Sequence, residues 1–222
     1  MDYTVKILDI NQITHDVKEF VTEKPEGLTF RPGQATVVSI NKEGYRDEKR
    51  PFTFTSLNDD ENLEFTIKIY EDVHGVTDAM DDLKVGDELI INSPWGAIQY
   101  EGPGYFIAGG AGITPFIAIL RQLKKDNQVD NNVLLFSNKT RKDIILEDEL
   151  KDILGDNALF TLTREEAPGY YHGRIDGEFL RKHIKDFSRP FYVCGTPEMT
   201  KEINEVLEKM GASSDSIIFE GK

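Results

Sequence analysis

The sequence predicts two domains, an N-terminal antiparallel β-barrel followed by a C-terminal α/β domain with a doubly wound parallel sheet. Up to residue 101, short apolar runs are separated by Pro, Gly, Asn and Asp, which is typical of antiparallel strands joined by turns. From residue 102 onward, short apolar runs alternate with amphipathic stretches, which favours parallel strands connected by helices. The pattern changes at the turn-forming sequence EGPG, so we place the domains at residues 1–101 and 102–222.

The individual elements follow from the same patterns. In the first domain the predicted strands are TVKILDI, KEFVTE, QATVVSI, PFTFTS, LEFTIKIY and ELIINS, and GVTDAMDDL is a predicted short helix that Thr77 would cap. In the second domain the predicted strands are YFIAG, NVLLFSN, ALFTLT, RPFYVCG and SIIFE. The predicted helices between them are ITPFIAILRQLKK, LEDELKDIL, DGEFLRKHI and PEMTKEINEVLEKM.

Composition excludes several classes of function. The net charge of -14 disfavours nucleic acid as a partner, because phosphate binding needs clustered Lys and Arg. The sequence contains no apolar run long enough for a membrane span and does not begin like a signal peptide, so we expect a soluble, cytoplasmic protein with no membrane partner. One cysteine, Cys194, cannot form an internal disulfide or hold an iron–sulfur cluster, so redox chemistry would need an organic cofactor.

We predict no metal site. The four histidines share no metal-ligand spacing, and the acidic run Glu147-Asp148-Glu149 is more typical of a helix start.

The segment Arg50-Pro51-Phe52-Thr53 offers the groups that a flavin site needs. These are a cation for a phosphate, a flat apolar face for the isoalloxazine ring and a small hydrogen-bonding group near its N5 atom. Arg50 and Phe52 are two residues apart, which places their side chains on one face of a strand. Taken alone, the segment fits an ordinary amphipathic strand with an exposed arginine better, so the flavin hypothesis depends on the segments that follow.

Two glycine-rich turns follow apolar strands in the second domain. In the first, Gly110, Gly112 and Thr114 lie between the strand YFIAG and a helix, where glycine lets a pyrophosphate approach the backbone and the helix N terminus offers N–H groups. In the second, Cys194 and Gly195 end a buried strand before Pro197. Ligands bind at the carboxyl ends of parallel strands, so both turns are candidates for a dinucleotide site. A lone cysteine is usually an inert core residue, and we give covalent thiol catalysis little weight.

Taken together, six segments in order resemble the ferredoxin-NADP⁺ reductase superfamily over nearly the whole chain. The segments are Phe30-Arg31-Pro32-Gly33-Gln34, RPFT at Arg50 to Thr53, Gly75-Val76-Thr77, Pro94-Trp95-Gly96, GGAGITP from Gly109, and VCGTPEM from Val193.

The resemblance implies FAD as cofactor and NADPH or NADH as cosubstrate. It assigns Arg50 to the flavin phosphate, Phe52 to stacking on the isoalloxazine, and Thr53 to a hydrogen bond near N5. Cys194 would lie against the nicotinamide and Glu220 would join a local proton network, so the catalytic set is Thr53, Cys194 and Glu220. The remaining cofactor-binding residues that it implies are Pro51, Gly75, Val76, Thr77, Gly110, Gly112, Thr114, Thr163, Arg164 and Gly195.

The choice between NADH and NADPH stays open at this point. Thr163 and Arg164 occupy a strand end where some members hold the 2′-phosphate of NADPH, and the guanidinium fork suits phosphate, but a solvated arginine explains the sequence equally well. Arg141 and Arg174 are further candidates.

The sequence departs from the family pattern at two positions. Phe52 stands where tyrosine is common, which keeps the aromatic face and loses the hydroxyl group. Lys222 stands two residues after Glu220, where members of the plant type have an aromatic residue that covers the flavin. We therefore expect the nicotinamide side of the flavin to be uncovered.

The predicted function is a flavoprotein oxidoreductase that transfers hydride from NAD(P)H to FAD. Because the sequence contains no iron–sulfur or haem domain, the acceptor would be a separate molecule such as a ferredoxin, a flavodoxin, an oxygenase component or free flavin. Two alternatives remain: a reductase that uses free flavin as substrate, and a flavin-binding regulatory subunit without turnover.

Overall fold

The computed structural model describes residues 1–70, 76–96 and 98–219, and an antiparallel sheet of six strands occupies the N-terminal half. Its strands are β1 (Tyr3–Thr14), β2 (Val17–Glu23), β3 (Ala35–Ile40), β4 (Arg50–Thr53), β5 (Asn62–Lys68) and β6 (Glu88–Ile91), in the order β4-β3-β6-β1-β2-β5. The sheet closes on itself because the Thr55 amide, just beyond β4, donates to the Glu64 carbonyl on β5 at 2.9 Å. The predicted antiparallel barrel is confirmed.

Alternate residues of these strands fill the barrel. Phe20 of β2 and Phe65 of β5 are fully buried, and Phe54 stacks on Phe30 with ring centroids 4.3 Å apart. The short helix α1 (Val76–Ala79) adds Val76 to the same core. Thr77 lies inside α1, which corrects the expectation that it caps this helix.

The second domain contains six parallel strands with helices on both faces, as predicted. The strands are β7 (Tyr105–Gly109), β8 (Val133–Asn138), β9 (Ala158–Leu162), β10 (Tyr171–His172), β11 (Phe191–Cys194) and β12 (Ile217–Phe219), in the order β10-β9-β8-β7-β11-β12. The helices are α2 (Thr114–Lys125), α3 (Glu147–Leu154), α4 (Gly177–His183) and α5 (Pro197–Lys209). The buried side chains of α2 and α3 pack on one face of the sheet and those of α4 and α5 on the other. The strand order reverses between β7 and β11, where a doubly wound sheet opens a crevice.

Apolar contacts join the two domains. Val17 of β2 and Ile98, in the segment between the domains, belong to the same buried cluster as Phe116 and Leu120 of α2. The connecting segment is fixed to the second sheet, since the Tyr192 hydroxyl accepts from the Glu101 amide and donates to the Gly102 carbonyl, both at 2.8 Å. The division at residues 1–101 and 102–222 stays a prediction.

Within the described part of the chain, the helices are all too short or too polar to cross a membrane.

Candidate active site between the two domains

A cavity of about 740 Å³ lies between the barrel and the carboxyl edge of the parallel sheet. Its volume falls within the range of small-molecule sites, and it lies at the switch point between β7 and β11. Both domains line it. The lining residues that the sequence had singled out as site residues are Pro51, Phe52, Thr53 and Thr77 from the barrel, and Gly112, Thr114, Cys194 and Gly195 from the second domain.

The end of β4 forms the barrel side of the cavity. Thr53 pairs with Ala35 of β3 and is 7% exposed, while Phe52 packs partly against the barrel core. Arg50 begins the strand, but its side chain is exposed, donates to the Lys49 carbonyl at 2.8 Å and does not line the cavity. Val76 is buried in the barrel core.

Two predicted residues, Gly75 and Glu220, lie outside the described residues. Of the predicted catalytic set, the structure therefore describes Thr53 and Cys194, and both line the same cavity.

The first glycine turn packs directly against the end of β11. After β7 the chain makes a short 3₁₀ turn, Gly110–Ile113, and then enters α2. A Cβ atom on Gly112 would lie 2.5 Å from the carbonyl carbon of Cys194 and 2.7 Å from the amide nitrogen of Gly195. Gly110 has a φ of 53° and open space around a Cβ, so its backbone conformation favours glycine. Gly112 is thus required by the packing of this turn on the end of β11.

The second glycine turn places Cys194 at the crevice. Cys194 is the last residue of β11, pairs with Ala108 of β7 and is 7% exposed. Thr196 then caps α5, with its hydroxyl accepting from the Met199 amide at 3.3 Å, and Pro197 occupies the first helical position. Cys194 therefore lines the cavity and also belongs to the buried core cluster of the second domain.

A second, smaller cavity of about 420 Å³ lies at the ends of β8 and β9. Thr163 and Arg164 line it together with Lys139 and Arg174, so three cations converge there, while Glu198 and Glu202 of α5 supply opposite charge. Arg141, another candidate from the sequence, does not line it. The Arg141 guanidinium lies over the Tyr170 ring at 5.6 Å.

The larger cavity is also lined by residues that were not predicted as site residues, among them Lys68, Tyr70 and Trp95. The Lys68 ammonium lies 2.6 Å from Asp16. Burial raises the pKa of Asp16, but hydrogen bonds from Lys68 and Thr14 outweigh burial and bring this pKa below its ordinary value.

Trp95 is 50% exposed. Its backbone is nevertheless fixed, because its amide and its carbonyl both form hydrogen bonds with Ala35 at 2.7 Å. The Pro-Trp-Gly motif could have indicated the fixed backbone turn, but not what the indole faces.

His15, Asp16 and Asp143 form a small cluster where the β1–β2 hairpin meets the second domain. Their nearest nitrogen and oxygen atoms lie within 4.8 Å of one another. Asp16 already pairs with Lys68, and Asp143 accepts from the amide and hydroxyl of Thr140 at 2.8 and 2.6 Å. We assign no metal to this cluster, and the absence of a metal site stays a prediction.

Comparison with known proteins identifies the class. Residues 4–100 match the family "Oxidoreductase FAD-binding domain" and residues 106–205 match the family "Oxidoreductase NAD-binding domain". The chain is therefore an NAD(P)H-dependent reductase that contains FAD, as predicted. It belongs to the ferredoxin-NADP⁺ reductase superfamily, and the resemblance inferred from the six sequence segments is confirmed.

Individual relatives agree with this assignment. NADH-cytochrome b5 reductase 3 of Rattus norvegicus is 28% identical, over 89% of this chain and 79% of that protein. The structure of a ferredoxin NADP⁺ reductase from Neisseria gonorrhoeae with bound FAD and NADP superposes with a TM-score of 0.87 at 22% identity, covering 99% of this chain and 98% of that one. The flavohem-like FAD/NAD binding domain of nitric oxide dioxygenase from Vibrio cholerae gives the same TM-score at 21% identity, covering 98% and 97% of the two chains.

Proposed function

We propose that hydride passes from NADH or NADPH to FAD in the larger cavity, and that the electrons then leave to a separate acceptor. The observation that carries this proposal is that one cavity is lined both by Thr53 at the end of β4 and by Gly112 and Cys194 at the switch point of the parallel sheet. A flavin held by the barrel and a nicotinamide held by the second domain would meet in this space.

The residues on the barrel side fit a flavin. Phe52 and the half-exposed indole of Trp95 offer aromatic surface, and the largely buried Thr53 offers a hydroxyl group for a hydrogen bond near N5. When bound, FAD supplies the N5 atom that accepts hydride from C4 of the nicotinamide. We propose that Arg50, whose side chain is exposed beside this wall, contacts the flavin phosphate.

The residues on the second-domain side fit a nicotinamide nucleotide. The turn at Gly112 and Thr114 presents the N terminus of α2 to the cavity, where N–H groups attract a pyrophosphate. We propose that Cys194 and Gly195 contact the nicotinamide ring, because they line the cavity on the adjacent strand end.

We propose that the smaller cavity holds the adenosine end of the nucleotide. The cationic side chains of Arg164, Arg174 and Lys139 suit the 2′-phosphate of NADPH. Glu198 and Glu202 in the same cavity oppose that charge and suit the ribose hydroxyls of NADH. With NADPH bound, Thr163 and Arg164 would contact the phosphate.

The acceptor in this proposal is a separate redox protein. The names of the relatives include cytochrome b5 and ferredoxin, which are small electron-transfer proteins, and a flavodoxin or an oxygenase component would fill the same role. The net charge of -14 weakens electrostatic steering towards an acidic partner. A cytoplasmic location also stays a proposal.

The test starts with the purified protein. We expect FAD to copurify without a covalent bond, and its absorbance to bleach when NADH or NADPH is added without oxygen. Arg50→Ala should lower the flavin content. Protein that cannot be reconstituted with either FAD or FMN would contradict the proposal.

Other outcomes separate the alternatives. Tight flavin binding without bleaching would favour a regulatory subunit, and turnover of added flavin by a protein that retains none would favour a free-flavin reductase. If bleaching occurs, the reduced protein is mixed with ferredoxin, flavodoxin and cytochrome b5 to find the acceptor.

A further inference from the structure

Arg121 of α2 joins three elements at the interface between the domains. Its Nε and Nη2 atoms donate to the two carboxylate oxygens of Glu149 on α3, at 2.6 and 2.9 Å. Its Nη1 atom crosses to the barrel, where it donates to the Glu64 carboxylate on β5 at 2.8 Å and to the Thr55 carbonyl at 2.9 Å. We call Arg121, Glu64 and Glu149 the interdomain ion cluster.

The interdomain ion cluster is partly shielded from water. The side chain of Arg121 is 21% exposed, and those of Glu64 and Glu149 are 29% and 32% exposed. Burial lowers the pKa of the guanidinium, but the hydrogen bonds and charges of the two glutamates outweigh burial, so its pKa lies above the ordinary value. A bidentate arginine–carboxylate pair also fixes the orientation of the guanidinium group, which a single hydrogen bond does not.

On the second-domain side, Arg121 is rigidly linked to the nicotinamide end of the cavity. Thr114, which lines the cavity, begins α2, and Arg121 lies two turns further along the same helix. An α-helix does not bend easily over two turns, so a displacement of Arg121 would also displace the turn at Gly112.

On the barrel side, the partners of Arg121 are close to the predicted flavin residues. Thr55 is two residues beyond Thr53, and Glu64 is two residues before Thr66, which also lines the cavity. The hydroxyl groups of Thr55 and Thr66 are themselves hydrogen-bonded at 3.2 Å. Arg121 therefore bonds to the barrel at the place where the chain beyond β4 meets β5 and closes the sheet.

The other charged contacts between the domains are weaker. Lys125 and Asp59 approach to 3.2 Å, but both side chains are largely exposed. His15 and Asp143 are 3.9 Å apart and form an ion pair only when the histidine is protonated. Among the ion pairs that the described residues form across this interface, the one made by Arg121 combines the shortest distance with the least exposed cation.

Resting on the function proposed above, we infer that Arg121 is a positioning residue that fixes the second domain on the barrel and thereby sets the distance between nicotinamide and flavin. Hydride transfer depends steeply on that distance. Arg121 acts through α2 and the barrel strands, and it does not itself line the cavity.

Removal of the guanidinium would leave carboxylates that repel one another. Glu19 on β2 faces the same region, and both burial and the charge of Glu64 raise its pKa. Its side chain accepts a hydrogen bond from Asn11 at 3.2 Å. Without Arg121, the negative charges of Glu19, Glu64 and Glu149 would repel one another across the interface, and protonation of Glu19, whose pKa is raised, would relieve part of this repulsion at lower pH.

The test compares Arg121→Met with Lys124→Met in the FAD-loaded protein. Lys124 is a matched control because it lies on the same helix and its ion pair, with Asp152 of α3, stays within the second domain. Flavin reduction is measured by anaerobic stopped flow over a range of NADH and NADPH concentrations, which separates the limiting rate from the nucleotide Kd. Flavin content and unfolding temperature are measured for each variant.

For Arg121→Met we expect retained flavin, a limiting rate roughly tenfold or more below wild type at pH 8, and a smaller change in Kd. The rate should recover in part as the pH is lowered, because Glu19, whose pKa is raised, then takes up a proton. Arg121→Lys, which keeps the charge and loses the bidentate geometry, should fall between the two proteins. Lys124→Met should reduce at the wild-type rate at every pH.

Equal limiting rates for Arg121→Met and Lys124→Met at all pH values would overturn the inference. A rate loss in Arg121→Met that does not depend on pH and is not eased by lysine would also contradict it. If Arg121→Met fails to fold, Glu64→Ala is measured instead, because it removes the carboxylate contact and keeps the bonds of Arg121 to Glu149 and to the Thr55 carbonyl. A smaller loss of the limiting rate is then expected, and a wild-type rate would overturn the inference. The wild-type protein distinguishes a failure of the proposed function from a failure of this inference. If neither nucleotide reduces the flavin of the wild type, the proposed function is contradicted. If the wild type is reduced normally and Arg121→Met is unaffected, the positioning role is contradicted.

Discussion

Substitution of Gly112 by alanine should damage both stability and hydride transfer. The added Cβ would lie 2.5 Å from the backbone carbon of Cys194, whereas ordinary contacts begin at 3.4 Å. The shortfall is about 0.9 Å, and the neighbouring atoms belong to the backbone of β11, so no side-chain rotation relieves it. Either the turn before α2 or the end of β11 has to move.

The expected cost of this overpacking is about 1–3 kcal/mol in the free energy of unfolding. In a protein of this size each kcal/mol lowers the unfolding temperature by roughly 2–4 °C. Because both displaced segments line the cavity, a shift approaching 1 Å should also slow flavin reduction, by up to about 100-fold. Thermal unfolding and anaerobic stopped flow with NADH measure the two effects separately.

Gly177→Ala is the control for the loss of glycine itself. Gly177 begins α4, where the nearest atom to a Cβ would be the flexible Met210 methyl group at 3.3 Å. We expect this variant to stay within about 1 kcal/mol of wild type and to reduce flavin at the wild-type rate. Gly112→Ala with wild-type stability and a wild-type rate would refute the close packing of the turn on β11.

Three further predictions concern single side chains. Arg164→Ala should raise the KM for NADPH and leave that for NADH nearly unchanged in steady-state assays; equal effects would show that Arg164 does not contact the 2′-phosphate. Cys194→Ser should keep its flavin and reduce it more slowly in stopped flow, whereas lower stability with a normal rate per flavin would indicate a packing role. Burial and the charge of Glu64 raise the pKa of Glu19, so ionised Glu19 opposes folding above that raised pKa. Glu19→Gln should therefore unfold at a higher temperature than wild type at pH 8 and lose this advantage near pH 4; no difference at pH 8 would contradict the argument.

Local patterns predicted the two domains but not every pairing of strands. The run PFTFTS was predicted as one strand to Ser56, yet β4 ends at Thr53. Beyond Thr53 the chain leaves β3 and bonds to Glu64 of β5, which closes the barrel. Which strand becomes the next neighbour is decided by tertiary structure, so an alternation of apolar residues cannot reveal it. The two residues of β10, Tyr171–His172, are too short to give a pattern and were not predicted.

The site was predictable where the backbone imposes a residue type. Both glycine turns follow buried strands, and they meet at the cavity because the carboxyl ends of β7 and β11 are adjacent. Lys68 and Trp95 were not assigned, because a strand pattern indicates which side chains leave the barrel core and gives no information on what lies outside it. That information belongs to the packing of the second domain on the barrel.

The sequence of α2 contains a signal for the interface that periodicity alone did not use. Residues 115–120 are six consecutive buried residues, whereas a helix that covers one face of a sheet has an exposed stripe. Such a run indicates burial on two sides, and Ile119 does reach the barrel, where its terminal methyl carbon lies 3.1 Å from the Cβ position of Gly33. The side chain of a charged residue immediately after this run extends from the helix near the same interface, and a charge that is partly buried there requires an opposite charge as partner. Arg121 could thus have been assigned to the contact between the domains from the sequence, although its partners Glu64 and Glu149 could not.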